Sequence, residues 1–145
     1  MEDANEEKSS SCDAKIISVF KVILFTVVTF GIYPSVWFVK RRPYFNNLVS
    51  GNKFGYVIPV GLVIVSIISL VISLLEVATI YALDKFIEII VIVGLLYQSF
   101  KARKIMLEHY NTNLNKDIDI DGIFTLFLGF IYLQYKINKI HKTAA

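Results

Sequence analysis

The chain has 145 residues, 55% of them hydrophobic and 19% charged, with a mean hydropathy of +0.59. Charge that sparse falls below the usual quarter and leaves too little polar surface for a water-soluble domain. A net charge of +3, carried by cations that flank apolar runs, excludes nucleic acid as a partner, and the single cysteine, Cys12, excludes an internal disulfide.

Residues 1–14 (MEDANEEKSSSCDA) are expected to form a disordered acidic tail, too polar to bury anything. The first fifteen residues hold five acids and two lysines, the reverse of the basic start of a secretory signal. One helical membrane domain is expected over 15–142, with apolar segments at about 16–39, 54–75, 83–100 and 122–135. The first is interrupted by Lys21 and by Gly31 and Pro34. Glycine tolerates positive φ, and proline fits the first turn of a new helix, so together they end one helix and begin another. The alternative is a kinked but continuous helix. Tyr33, Trp37, Phe38, Tyr44 and Phe45 then read as an aromatic belt at headgroup depth. Lys40, Arg41 and Arg42 read as contacts to anionic headgroups on the cytoplasmic face.

The second segment, Phe54 to Leu75, is 22 residues without a charge. At roughly 1.5 Å per residue it is about 33 Å long and spans a hydrocarbon core. On a helical wheel Gly55, Ser66, Ser69, Ser73 and Glu76 share one side, a stripe of small residues suited to close helix packing. The third segment opens with Asp84, Lys85 and Glu88 crowded into its first turns; Lys85 and Glu88 read as an ion pair. Cations before the second segment and after the third make these two a hairpin whose turn faces outward. The fourth segment has 14 uncharged residues, about 21 Å at roughly 1.5 Å per residue, too short to cross alone. If all four segments crossed, seven cations would lie outside and eight inside. If the first and fourth dip in and return, or lie along the interface, fourteen lie inside and one outside, which is the favoured arrangement.

Thr29-Phe30-Gly31-Ile32-Tyr33, with Trp37 six residues after the glycine and cations following, resembles the T-x-G-I-Y…W signature of a bacterial membrane family, domain of unknown function 4234. Val36 stands where the family often has an aromatic, and Pro34 replaces a more permissive residue. The later run Phe130-Ile131-Tyr132-Leu133-Gln134-Tyr135-Lys136-Ile137-Asn138 is similar to one in related proteins, which singles out Tyr132, Gln134 and Asn138. The resemblance implies a small multi-pass helical protein of the bacterial cytoplasmic membrane and implies no activity. Sliding Thr26–Lys40 onto Thr125–Lys139 matches four positions of fifteen, a score that apolar sequence reaches readily by chance. A true repeat would make the outer segments two similar elements flanking the hairpin.

Asp117-x-Asp119-x-Asp121-Gly122 opens like a calcium loop, but the twelfth position, which needs a bidentate glutamate, is Leu128. The favoured reading is a polar linker whose last acids cap the next helix. His109 and His141 stand alone, and no catalytic constellation, metal site or cofactor motif is visible. The fold class expected is an all-α integral membrane protein, a central two-helix hairpin flanked by re-entrant, interfacial or spanning segments. The function expected is non-enzymatic: a scaffold, accessory subunit or membrane-shaping component, with the bilayer and a protein or homo-oligomeric partner. The alternative is a subunit of a small homo-oligomeric channel or transporter.

Overall fold

The computed structural model describes residues 16–75, 81–115 and 117–144. The acidic segment 1–14, with Cys12, and Glu76 of the small-residue stripe lie outside the described residues. Within them the chain is all-helical: α1 (Val19–Val28), α2 (Tyr33–Asn47), α3 (Val57–Leu74), α4 (Tyr81–Leu107) and α5 (Gly122–Ala144). A π-helical turn, Glu108–Asn113, follows α4. The first apolar segment is therefore two helices, and α2 runs on through Lys40, Arg41, Arg42 and Pro43 to Asn47. The third and fourth segments are also longer than their apolar cores, because polar residues continue both helices where they meet protein.

Contacts fix the helix directions. Ser69 reaches Asp84, and a Cβ on Gly94 would strike the end of Leu62, so α3 and α4 are an antiparallel hairpin. Ser35 meets Ser66 while Arg42 meets the Phe54 carbonyl, so α2 runs antiparallel to α3. Ser99 lies beneath Gly129 and Arg103 Nε bonds the Ile120 carbonyl, so the first part of α5 runs antiparallel to α4. Trp37 touches Phe130 and Tyr44 touches His141, so α2 and the later part of α5 run parallel.

The core gathers at the end of the molecule where α2, the last turns of α4 and the later part of α5 meet. Trp37, Phe38, Phe45, Leu48, Phe54, Ile105, Met106, Leu133 and Ile137 are buried there. Elsewhere large apolar side chains face outward. They include Phe20 and Val27 on α1, Ile64 and Val71 on α3, Phe86 and Val93 on α4, and Ile123 and Phe127 on α5. Among the described residues one helix, Val57–Leu74, is long and apolar enough to cross a membrane by length and composition.

Candidate functional site: the junction of two broken helices

The break after α1 is built by a single hydroxyl and two positive-φ residues. Phe30 (φ 49°) and Gly31 (φ 86°) turn the chain. Phe30 N–H donates to the Val27 carbonyl at 3.1 Å and Gly31 N–H to the Thr26 carbonyl at 2.9 Å. That pair of bonds is the Schellman closure of a helix C-terminus. Thr29 Oγ1 donates to the Phe25 carbonyl at 2.7 Å and accepts the Tyr33 N–H at 2.9 Å. One hydroxyl thus ties the end of α1 to the start of α2. Ile32 N–H bonds the Thr29 carbonyl, and Pro34, buried in the first turn of α2, has no N–H to satisfy. The ring centroids of Phe25 and Tyr33 are 5.3 Å apart, whereas eight residues of straight helix span about 12 Å. The chain reverses; it is not merely kinked.

α5 does the same. Gly129 takes φ 48°, ψ −123°, a conformation open only to glycine, and a Cβ there would sit 3.3 Å from Ser99 Oγ. Phe124 and Tyr132 stack at 5.6 Å, again eight residues apart across the reversal. Tyr132 Oη accepts the Asp121 N–H at 3.2 Å. Phe25, Phe30 and Tyr33 correspond to Phe124, Gly129 and Tyr132 at a constant offset, the one on which the two apolar segments align in sequence. The two reversals thus fall at the same offset, although the first turns on two positive-φ residues and the second on Gly129. Asp121 caps α5, its Oδ1 accepting the N–H groups of Ile123 at 2.6 Å and Phe124 at 3.3 Å, as expected for the end of the acidic linker.

The returning arms of the two hairpins are joined by a buried polar chain. Gln134 Oε1 accepts both Trp37 Nε1 at 3.0 Å and Arg41 Nη2 at 2.9 Å. Gln134 Nε2 donates to Asn138 Oδ1 at 2.7 Å, and Asn138 Nδ2 to the Ile17 carbonyl at 2.7 Å. The tryptophan of the first motif and the Gln134 and Asn138 of the second therefore belong to one network, which also pins the start of α1. Tyr44 and Tyr110 share a hydroxyl–hydroxyl bond of 3.2 Å nearby. The loop between α2 and α3 is clasped by the π-helical turn. Glu108 accepts from Ser50 and Asn52, and these bonds hold its carboxyl below the usual range. His109 Nδ1 accepts the Val49 N–H at 3.0 Å, and burial pushes the imidazole below its usual pKa.

Two expectations are corrected here. Trp37, Phe38, Tyr44 and Phe45 are interior side chains, with Trp37 only 1% exposed, and so do not form a headgroup belt. Arg41 is 5% exposed and points at Gln134, so it is no headgroup contact. Both follow from the later part of α5 covering α2. Lys40 is exposed, and half-buried Arg42 bonds the Phe54 carbonyl at 3.1 Å and lies over the Tyr56 ring. Of the small-residue stripe, Ser66 and Ser69 are buried, bonding Ser35 and Asp84. Gly55 precedes α3 and faces open space, and Ser73 is exposed, so these two make no close packing contact. Lys85 and Glu88 form the expected pair at 2.8 Å.

Sequence reasoning missed Asp84. Its carboxylate is 4% exposed and accepts Ser69 Oγ at 2.7 Å between α3 and α4. The available signal was its place on the turn of α4 that an antiparallel hairpin lays against Ser69. Beside this pair a cavity of about 460 Å³ is lined by Phe30, Gly31, Ser66, Ser69, Ser73 and Glu88 among others. Among the described residues no group of three His, Cys, Asp or Glu side chains could hold a metal ion. No curated protein and no solved structure matches the chain. A family described as a domain of unknown function, DUF4234, matches residues 17–141, and the chain belongs to that family.

Proposed function

We propose that this is a non-enzymatic multi-pass membrane protein in which α3 and α4 span the bilayer and both broken helices enter from the cytoplasmic face and return to it. The junction of their returning arms then forms a rigid cytoplasmic platform, serving as a scaffold or accessory subunit. The observation that carries this reading is the segregation of exposure. Bulky apolar side chains face outward along α1, α3, the first turns of α4 and the start of α5, while the aromatic and hydrogen-bonded core sits at the other end. In water such a surface would be far larger than a monomer tolerates. The hairpin reversals support the cation count as well, since they leave fourteen of fifteen cations on one side.

The test replaces Cys12 with serine and places single cysteines at the N-terminus, at Ala78 and after Lys142. An impermeant maleimide applied outside intact cells should label only the Ala78 position. Labelling of both termini from outside would restore four spanning helices and sink the proposal.

A second reading, a small oligomeric channel or transporter, draws support from one feature. The cavity lined by three serines and Glu88 adjoins the buried Ser69–Asp84 pair, and polar groups between spanning helices often mark a path. Ion flux into liposomes that is lost in Asp84→Asn would favour it over the scaffold.

A further inference from the structure

The cavity of about 460 Å³ at the tip of the first hairpin is bounded by α3, α4 and the reversal that ends in Pro34. Buried Pro34 and Ser66 lie at its inner part, and exposed Ser73 and half-exposed Glu88 at its mouth. Three of its polar groups have already spent their protons. Ser66 Oγ donates to the Leu62 carbonyl at 2.7 Å, so in its 3.3 Å contact with Ser35 Oγ it is the acceptor. Ser69 Oγ donates to Asp84 Oδ1 at 2.7 Å. Gly31 has no side chain and meets the cavity with its main chain, whose N–H is bonded to the Thr26 carbonyl at 2.9 Å. What each of the three still offers is an oxygen lone pair. Leu70, Ile92 and Leu95 make another part of the wall apolar.

We propose that this cavity binds a primary ammonium ion carrying a short hydrocarbon body. The lining chooses both halves of that ligand. Oxygens whose protons are spent call for a donor, and an ammonium nitrogen offers three N–H bonds from one atom. The carboxylate of Asp84, 4% exposed, takes its hydrogen bond from the neutral Ser69 hydroxyl and so favours a positive charge on the other side of that hydroxyl. A bare metal ion would use the oxygens but leave Leu70, Ile92 and Leu95 facing unfilled space. The volume is that of a site for a small organic ligand, in which apolar walls hold the body and a few polar groups orient the head. A neutral alcohol would fill the space with one donor and no charge. The membrane reading above enters only through sidedness: with α3 and α4 spanning, Ser73 and Glu88 turn the mouth toward the outer face.

The experiment titrates the full chain in neutral detergent by calorimetry with three probes that share a four-carbon body. Butylammonium should bind one per chain. Butanol, which lacks the charge, and butyltrimethylammonium, which lacks the N–H donors, should each bind at least roughly tenfold more weakly. Ser69→Ala removes an acceptor and should weaken butylammonium by about the same factor. That change also takes the donor from Asp84, so a second variant keeps the test independent of the α3–α4 contact. Ile92→Phe fills the apolar part from a residue that is 57% exposed; it should melt like the parent without ligand and lose butylammonium binding. Equal affinity for butylammonium and either analogue overturns the proposal, as does undiminished binding in Ile92→Phe. Displacement of butylammonium by sodium at equal concentration would give the cavity to a metal ion and overturn the organic occupant. Displacement by phosphatidylethanolamine, with phosphatidylcholine inert, supports the site and makes the ammonium that of a lipid. Binding in detergent is indifferent to sidedness, so its failure leaves the maleimide result standing, and a wrong topology changes only the face to which the cavity opens.

Discussion

Gln134→Leu should destabilise the protein more than its size suggests, because the side chain is an acceptor shared by two buried donors. Leucine nearly matches glutamine in volume, so no cavity is opened and the cost is polar. The Trp37 indole N–H, 3.0 Å from Gln134 Oε1, loses its acceptor inside the core, which costs about 1–3 kcal/mol. Arg41 Nη2 loses a charge-assisted bond of 2.9 Å, a further 1.5–3 kcal/mol by about the same reckoning. Burying leucine returns about 1.5 kcal/mol. The net loss is therefore about 1–4.5 kcal/mol, or roughly 3–15 °C in Tm for a chain of this size. Trp37 is the single tryptophan, so its fluorescence during thermal unfolding in detergent reports this site alone. Gln134→Glu keeps an acceptor and puts a carboxylate beside Arg41, so it should recover at least half of the loss. Tyr135→Leu, at the exposed neighbour, is the control. If Gln134→Leu melts with Tyr135→Leu, or if Gln134→Glu is as damaging as Gln134→Leu, the junction adds nothing to stability and the reasoning fails.

Thr29→Val leaves the Tyr33 N–H without its acceptor and should cost about 2 kcal/mol, with Thr29→Ser restoring it; equal melting of the two variants would refute the hydroxyl's role. Gly129→Ala should cost about 2 kcal/mol for its glycine-only conformation, whereas Phe30→Gly should stabilise by about 0.5–1 kcal/mol by relieving a positive φ. Shifts of the same sign for both would contradict the shared reversal geometry. Ser69→Leu should shorten detergent half-life far more than Ile68→Ala, because it removes the donor to buried Asp84 and overfills the helix contact, a loss of about 3 kcal/mol. Indistinguishable half-lives would remove the case for that interface. His109 titrates below its unfolded value, so its share of stability is complete above about pH 6.5 and lost as pH falls through the folded value. Glu108, also depressed, gives way only at lower pH, from about 4.3 downward. Hydrogen exchange at the Val49 amide, corrected for intrinsic rates, should therefore quicken between pH 7 and 5 and stay flat in His109→Asn; a flat parent profile would count against the clasp.

Local chemistry was legible in the sequence, and partners distant along the chain were not. Gly31 and Pro34 announce a break, and Asp121 announces a cap, because each acts on the backbone within a few residues of itself. The α3–α4 hairpin follows from length and charge. The fate of Trp37 and Arg41 was hidden, since it depends on Gln134, 97 and 93 residues away. An aromatic-cationic stretch beside an apolar helix has the same composition whether it meets headgroups or another helix. The stripe through Gly55 and Ser73 failed for a related reason: a helical wheel assigns a face but not the residues at which the neighbouring helix begins and ends its contact.

The reversal at Thr29–Val36 explains why these residue types stand together. A helix that turns back normally strands carbonyls at the end of its first arm and N–H groups at the start of its second, and wherever water is absent these need partners inside the chain. Here every N–H from Thr29 to Val36 has an acceptor within this short stretch. The helix carbonyls serve Thr29, Phe30 and Gly31; the Thr29 carbonyl and hydroxyl serve Ile32 and Tyr33; the Ile32 carbonyl serves Ser35 and Val36; Pro34 has none to serve. Threonine is needed because a hydroxyl can donate backward and accept forward at once. Glycine is needed because a second consecutive positive φ follows Phe30. A turn in water has no use for such complete pairing, since solvent would supply it. The T-x-G-I-Y-P stretch thus reverses a helix with its N–H groups paired inside the chain, which is what the proposed placement of this hairpin tip in a bilayer requires.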